Sequence, residues 1–196
     1  MNKMTDLYLI RHGEVAYGGG TAFYGHTDIG LSKVGYEQGE SVLLQFKEIT
    51  LDAVYSSDLK RAVEGGQRLA DQCSVRLQTD LNLRERNWGR WEGLTAEEIE
   101  SRFPEEWEAW CDAPLFFTPP DAEPVELFYR RVTRKITHLI KVHPGQAIGV
   151  VCHGGVIRAV YAWISQKWPE GFFDLHPGYG SIYHLTLEYE QIPECE

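Results

Sequence analysis

Basic side chains are scarce. Lys and Arg number 19 against 29 Asp and Glu, so the 196 residues carry a formal charge of −10. A nucleic-acid surface needs a basic footprint, and this balance argues against one, although a pocket can be locally positive on an acidic protein. Cysteine is sparse as well: Cys73, Cys111, Cys152 and Cys195 are scattered, with no CxxC pair. That pattern fits reduced thiols in the cytoplasm better than a disulfide framework or a zinc site. No long apolar run opens the chain, because only Leu7-Tyr8-Leu9-Ile10 precedes Arg11, too little for the core of a signal peptide. The stretch 147–164 has the length of a membrane span but contains His153, Gly154-Gly155 and Arg158, which are costly or helix-weakening in lipid. There is no repeat and no low-complexity linker. What is left is a globular composition, 43% hydrophobic and 24% charged, and the expectation is one domain over 1–196.

Short continuous apolar runs at 7–10, 52–55 and 147–152 predict strands buried on both faces. Between them Ser32 is placed to cap a helix reaching about Phe46, with Val34, Val42, Leu43 and Phe46 on or near one side. Asp58 is placed to cap a second helix ending about Gln72. Pro124 suits the first turn of a third, which His143-Pro144-Gly145 terminates, and a fourth follows Gly154-Gly155. The alternating run 181–187 predicts a closing strand. Strands alternating with helices imply an α/β fold, three layers α/β/α around a mostly parallel sheet. Residues 94–123, rich in Glu, Trp and Pro, read as a small lid insertion.

Ligands of open α/β sheets sit beyond the carboxyl ends of the strands. There the first strand delivers Arg11-His12-Gly13-Glu14, the second the run Ser56 to Arg61, and the late strand His153-Gly154-Gly155. Two arginines and two histidines, far apart in sequence, thus meet at one sheet edge. Guanidinium forks match phosphate oxygens, a neutral imidazole can attack phosphorus, and phosphoryl transfer asks mostly for positioning and charge stabilisation. Glu85, in the run LRERNWGRWEG, is the candidate proton donor for the leaving alkoxide. Singly, each residue has a plainer reading: His153 as a core histidine, Arg61 as a solvated helix residue, Glu85 as one surface carboxylate among many. His26, in the loop after the first strand, is a candidate to line the pocket. Trp88, Trp91, Trp107 and Trp110 either wall a pocket for a ring-bearing substrate or simply pack the lid. The histidines show no metal-ligand spacing, and Gly18-Gly19-Gly20 lacks the Lys-Ser/Thr of a P-loop.

The pieces LYLIRHGE (7–14), YGHTDIGLSKVG (24–35), YSSDLKRA (55–62), LRERNWGRWEG (83–93), FPEEWEAW (103–110), VVCHGGVIR (150–158) and GSI (180–182) resemble the histidine phosphatase superfamily, the phosphoglycerate mutase-like proteins, over nearly the whole chain. The resemblance implies that fold and a phosphomonoesterase acting on a small phosphorylated metabolite. It implies His12 as the nucleophile that becomes phosphohistidine, Arg11, Arg61 and His153 as the phosphate pocket, Glu85 as acid, and no metal or other cofactor. Gly13 would let the backbone hold His12 in its attacking tautomer. Thr27, beside His26 in the second piece, is counted with it as substrate-binding. YGHTDIGLS and the WEG loop look most like alpha-ribazole phosphatases, which implies alpha-ribazole phosphate as substrate. The alternatives are a phosphoglycerate mutase and a phosphate-binding regulator without turnover. Three departures stand out: glycines at 18–20 where mutases carry an Asn, Gly65-Gly66 in place of Thr-Ala, which leaves that helix turn's packing in question, and Ala122-Glu123-Pro124 in place of a Gly-Glu-Ser run.

Overall fold

A computed structural model describes residues 3–16 and 22–194; the Gly18-Gly19-Gly20 segment and Cys195 lie outside the described residues. Side chains that alternate across the strands divide the core into two. Strand β1 (Thr5–Arg11) sends Leu7 and Leu9 to one face and Ile10 to the other. Strand β2 (Ala53–Ser56) divides Ala53 and Tyr55 from Val54, and β4 (Ala147–Cys152) divides Ile148 and Val150 from Val151. Helices α5 (Val125–Val142) and α6 (Gly154–Ile164) cover the first face. Helices α1 (Lys33–Gln45) and α2 (Lys60–Gln72) cover the second. The result is the three-layer arrangement that the alternation of elements predicts.

The five strands run in the order β3-β2-β4-β1-β5, where β3 is Leu77–Thr79 and β5 is Ile182–Leu187. The first four are parallel and β5 joins β1 antiparallel. Strand β3 has only three residues, two of them exposed, which leaves no apolar run to read. Ser32 caps α1 by accepting from the Gly35 N–H at 3.0 Å. Val34, however, is 47% exposed and takes no part in the buried side of that helix. Asp58 does not cap α2. It pairs with Arg84, and Asp28 accepts the Lys60 N–H at 2.8 Å instead, from 32 residues away. Helix α2 runs unbroken through Gly65-Gly66, and a Cβ at Gly66 would stand 3.1 Å from both Leu77 and Ser56, so the missing side chain lets the helix lie close on the sheet.

The lid region holds α3 (Ala96–Arg102) and α4 (Pro104–Asp112). A capping box between Thr95 and Glu98 starts α3, and Pro104 occupies the first turn of α4, both local signals. Among the described residues no helix is long and apolar enough to cross a membrane.

Candidate active site

Arg11 ends β1, and the chain turns at once into His12 and Gly13. The turn is crowded: a Cβ at Gly13 would lie 2.3 Å from the Gly35 carbonyl oxygen, so only glycine fits. His12 is 7% exposed, and its Nδ1 lies 2.6 Å from the Gly13 carbonyl oxygen. A carbonyl can only accept, so Nδ1 carries the proton and Nε2 keeps its lone pair. Burial, then the Arg61 and Arg11 charges, hold the His12 pKa well below the ordinary 6.5, and only the Gly13 carbonyl opposes them. The ring is neutral at physiological pH.

His153 follows β4 and is 1% exposed, its ring centroid 5.0 Å from that of His12. Arg61, on the first turn of α2, donates from Nε to His153 Nδ1 at 3.3 Å. His153 Nε2 then bears the proton and meets Ser57 Oγ at 2.7 Å. Burial, followed by Arg61, depresses the His153 pKa far below its usual value as well. The rest of the Arg61 guanidinium is held by a cage of carbonyls: Nη1 donates to Thr27 (2.7 Å), Nη2 to Gly25 (2.6 Å) and Tyr24 (3.3 Å). These four bonds leave one Nη1 N–H for a ligand. Arg11 differs. Its Nη1 donates to the Pro177 carbonyl, its guanidinium lies 3.9 Å over the Tyr179 ring, and its buried Nε has no acceptor.

Glu85 reaches the same place from the segment after β3. Its Oε1 accepts the Arg86 N–H and its Oε2 the Gly155 N–H, both at 2.8 Å. A Cβ at Gly155 would stand 2.1 Å from Oε1, so the glycine at the start of α6 makes the room. Arg131 of α5 fixes the backbone behind the acid by donating to the carbonyls of Asn82, Arg84 and Glu85, while its fork grips the Glu123 carboxylate.

A cleft of about 270 Å³ brings these parts together, lined among others by Arg11, His12, Arg61, Glu85, Trp88 and Arg158. His153 sits behind it as the partner of Arg61. His26 and Thr27 are not among its lining residues; the Thr27 carbonyl serves Arg61, the Thr27 hydroxyl donates to Glu92, and so does the His26 N–H. The tryptophans divide: Trp88 and Trp110 line cavities, whereas Trp91 is fully buried with Nε1 donating to Glu106, and Trp107 stacks on Trp110 at 5.1 Å. The sequence reading missed Glu92, Arg131 and Tyr179. Glu92 lay in the quoted WEG loop, but nothing local distinguished it from other carboxylates.

The model of the histidine phosphatase superfamily (branch 1) matches residues 7–194. The chain belongs to that superfamily. This histidine phosphatase is a phosphoric monoester hydrolase by kinship. It is 35% identical to phosphoglycerate mutase-like protein 4 of Arabidopsis thaliana over 80% of this chain and 69% of that one. Among solved structures, a mycobacterial glucosyl-3-phosphoglycerate phosphatase superposes with a TM-score of 0.86 at 25% identity, covering 97% of this chain and 95% of that one. The alpha-ribazole phosphatase of Shigella flexneri gives 0.84 at 26%, covering 91% and 89%. Among the described residues of this histidine phosphatase, no group of three or more His, Cys, Asp or Glu side chains is placed to hold a metal ion.

Proposed function

We propose that this histidine phosphatase, acting as a single domain, hydrolyses a small phosphorylated metabolite through a phosphohistidine at His12. The observation that carries the reading is the Nδ1–Gly13 hydrogen bond, which leaves a neutral Nε2 lone pair in a cleft shared with Glu85 and guanidiniums. In the first half-reaction Nε2 forms a bond to phosphorus, the ester P–O bond breaks, and Glu85 passes its proton to the departing alkoxide. In the second, water attacks phosphorus, its proton goes to the Glu85 carboxylate, and the P–N bond breaks to restore His12. The Arg11 guanidinium and the remaining Arg61 N–H take the phosphoryl oxygens, with His153 holding Arg61 from behind. His26 and Thr27 act on the substrate through the loop that cages Arg61.

The aromatic wall beside Glu85 suits a leaving alcohol with a ring, and alpha-ribazole phosphate, the substrate in the name of one structural relative, is the specific candidate. Labelled substrate is expected to leave one alkali-stable, acid-labile phosphoryl group, absent in His12→Ala. Label on another residue, or full activity in that variant, overturns the mechanism. A panel including alpha-ribazole phosphate and 3-phosphoglycerate then identifies the ester. Conversion of 3-phosphoglycerate to 2-phosphoglycerate faster than phosphate release would make the enzyme a mutase.

A further inference from the structure

Past Glu85 and Trp88 the cleft adjoins a second cavity of about 180 Å³, with Trp110, Leu115, Val125, Phe128 and Phe172 in its wall. Four residues line both spaces: Phe23, Glu85, Trp88 and Arg158. Arg158 stands on the second turn of α6, where its Nε donates to the Leu175 carbonyl at 3.0 Å and its guanidinium lies 5.4 Å over the Phe173 ring. Among the described residues its two Nη groups have no hydrogen-bond partner and no carboxylate pairs with it. The side chain is half-buried, and the Nη atoms keep accessible surface. Charge points the same way. Of the three charged side chains that line the second cavity, Arg86 and Arg158 are cations and only Glu85 is an acid. Glu85 must be protonated to serve as proton donor, so with substrate bound the cavity wall carries positive charge alone. Burial pulls the Arg158 pKa down, Glu85 pulls it up and Arg11 down again, and a guanidinium so placed stays charged at neutral pH. A fork with both Nη ends free and no counter-ion matches the two oxygens of a carboxylate.

We propose that Arg158 is a leaving-group subsite for a carboxylate carried on the alcohol of the substrate; this rests on the phosphatase reading of the adjoining cleft. The ester oxygen lies at Glu85, the apolar part of the alcohol rests on the aromatic wall, and the carboxylate meets the free side of the fork. A neutral alcohol fills the same cavity but leaves Arg158 without a counter-ion, so the site discriminates by charge as well as by shape.

The test compares kcat/KM within two pairs, 3-carboxyphenyl against 3-carbamoylphenyl phosphate and 4-carboxyphenyl against 4-carbamoylphenyl phosphate, which set the group at two distances from the ester. The amide has the shape of the carboxylate without its charge, and it makes the better leaving group, so intrinsic reactivity works against the expected result. In at least one pair the carboxylate is expected to be favoured by about tenfold, the scale of one hydrogen-bonded contact between charged groups. Arg158→Gln, which keeps a donor for the Leu175 carbonyl, and Arg158→Met are each expected to bring that preference below about threefold. Each variant is compared with itself, so lost stability cancels, and either variant suffices if the other does not fold. A wild-type preference below threefold in both pairs, or one kept by each variant that folds, overturns the subsite and leaves the phosphatase reading intact. So does cleavage of p-nitrophenyl phosphate without cleavage of either carboxyphenyl ester. Release of phosphate from none of the five esters overturns both.

Discussion

Glu92→Gln changes one oxygen to an NH₂ group and tests the loop that carries Arg61. The Glu92 carboxylate accepts five hydrogen bonds: Oε2 from the N–H of Gly25 (3.1 Å) and Thr27 (3.0 Å) and the Thr27 hydroxyl (2.5 Å), Oε1 from the N–H of His26 (2.8 Å) and Trp88 (3.0 Å). Whichever way the new amide turns, at least two of these donors face a donor. An unsatisfied buried donor costs about 1–3 kcal/mol; these donors are half-buried or, for Thr27, exposed and open to water, so the two together cost about 1–2 kcal/mol. For a chain of this size that lowers the melting temperature by roughly 3–8 °C. The loop also supplies the carbonyls of Tyr24, Gly25 and Thr27 that hold Arg61, so kcat/KM is expected to fall about 10²-fold, as for a displaced transition-state donor, and vanadate to bind more weakly. Burial opposes ionisation of Glu92, but the Thr27 hydroxyl and the N–H groups of Trp88, His26 and Thr27 outweigh it and hold its pKa below the ordinary 4.5. Its contribution is therefore complete above that value and lost as pH falls through the lower folded-state value. Thermal melts should show the wild-type advantage shrinking below about pH 4.5. A variant that melts within about 2 °C of wild type at neutral pH and keeps activity within threefold would refute the reasoning.

Gly155→Ala puts a Cβ 2.1 Å from Glu85 Oε1 and deflects the acid, so turnover of alkyl phosphates should fall at least about 10²-fold. Turnover of p-nitrophenyl phosphate, whose leaving group needs no proton, should fall far less, and steady-state kinetics showing equal losses would remove Glu85 from the acid role. His12 and His153 keep depressed pKa values in the fold but return to about 6.5 when unfolded, so the unfolded chain binds more protons below that pH. Two such groups make stability fall by up to about 2.7 kcal/mol per pH unit on acidification below 6.5, with His26 adding in the same direction. Denaturant midpoints that stay flat from pH 6.5 to 5 would mean these rings take up protons without unfolding.

Much of the candidate site could be read from residues alone. Arg11, His12, Arg61 and His153 follow or flank strand ends, and the strand-end rule gathers them whatever the loops do. Glu85 was legible as an acid among arginines, but not the means of its placement, since Gly155 and Arg131 approach from helices 70 and 46 residues away. The second helix shows the limit of local reasoning. Asp58 has the residue type and position of a cap, yet Arg84 claims its carboxylate and Asp28 takes over the helix end. A charged partner outcompetes a backbone N–H, and no local pattern reveals that the partner is there.

By itself the sequence determined the alternation of strands and helices, the two apolar faces of the sheet and the edge where the chemistry collects, because periods of 2 and 3.6 and the turn residues between them are local properties. Only the tertiary structure decided which polar groups would be stripped of water and what would meet them there. It made Glu92 the anchor of a loop and closed three carbonyls around Arg61. Burial and hydrogen-bond satisfaction depend on groups brought together from distant parts of the chain, so they are written in the packing and not in any one segment.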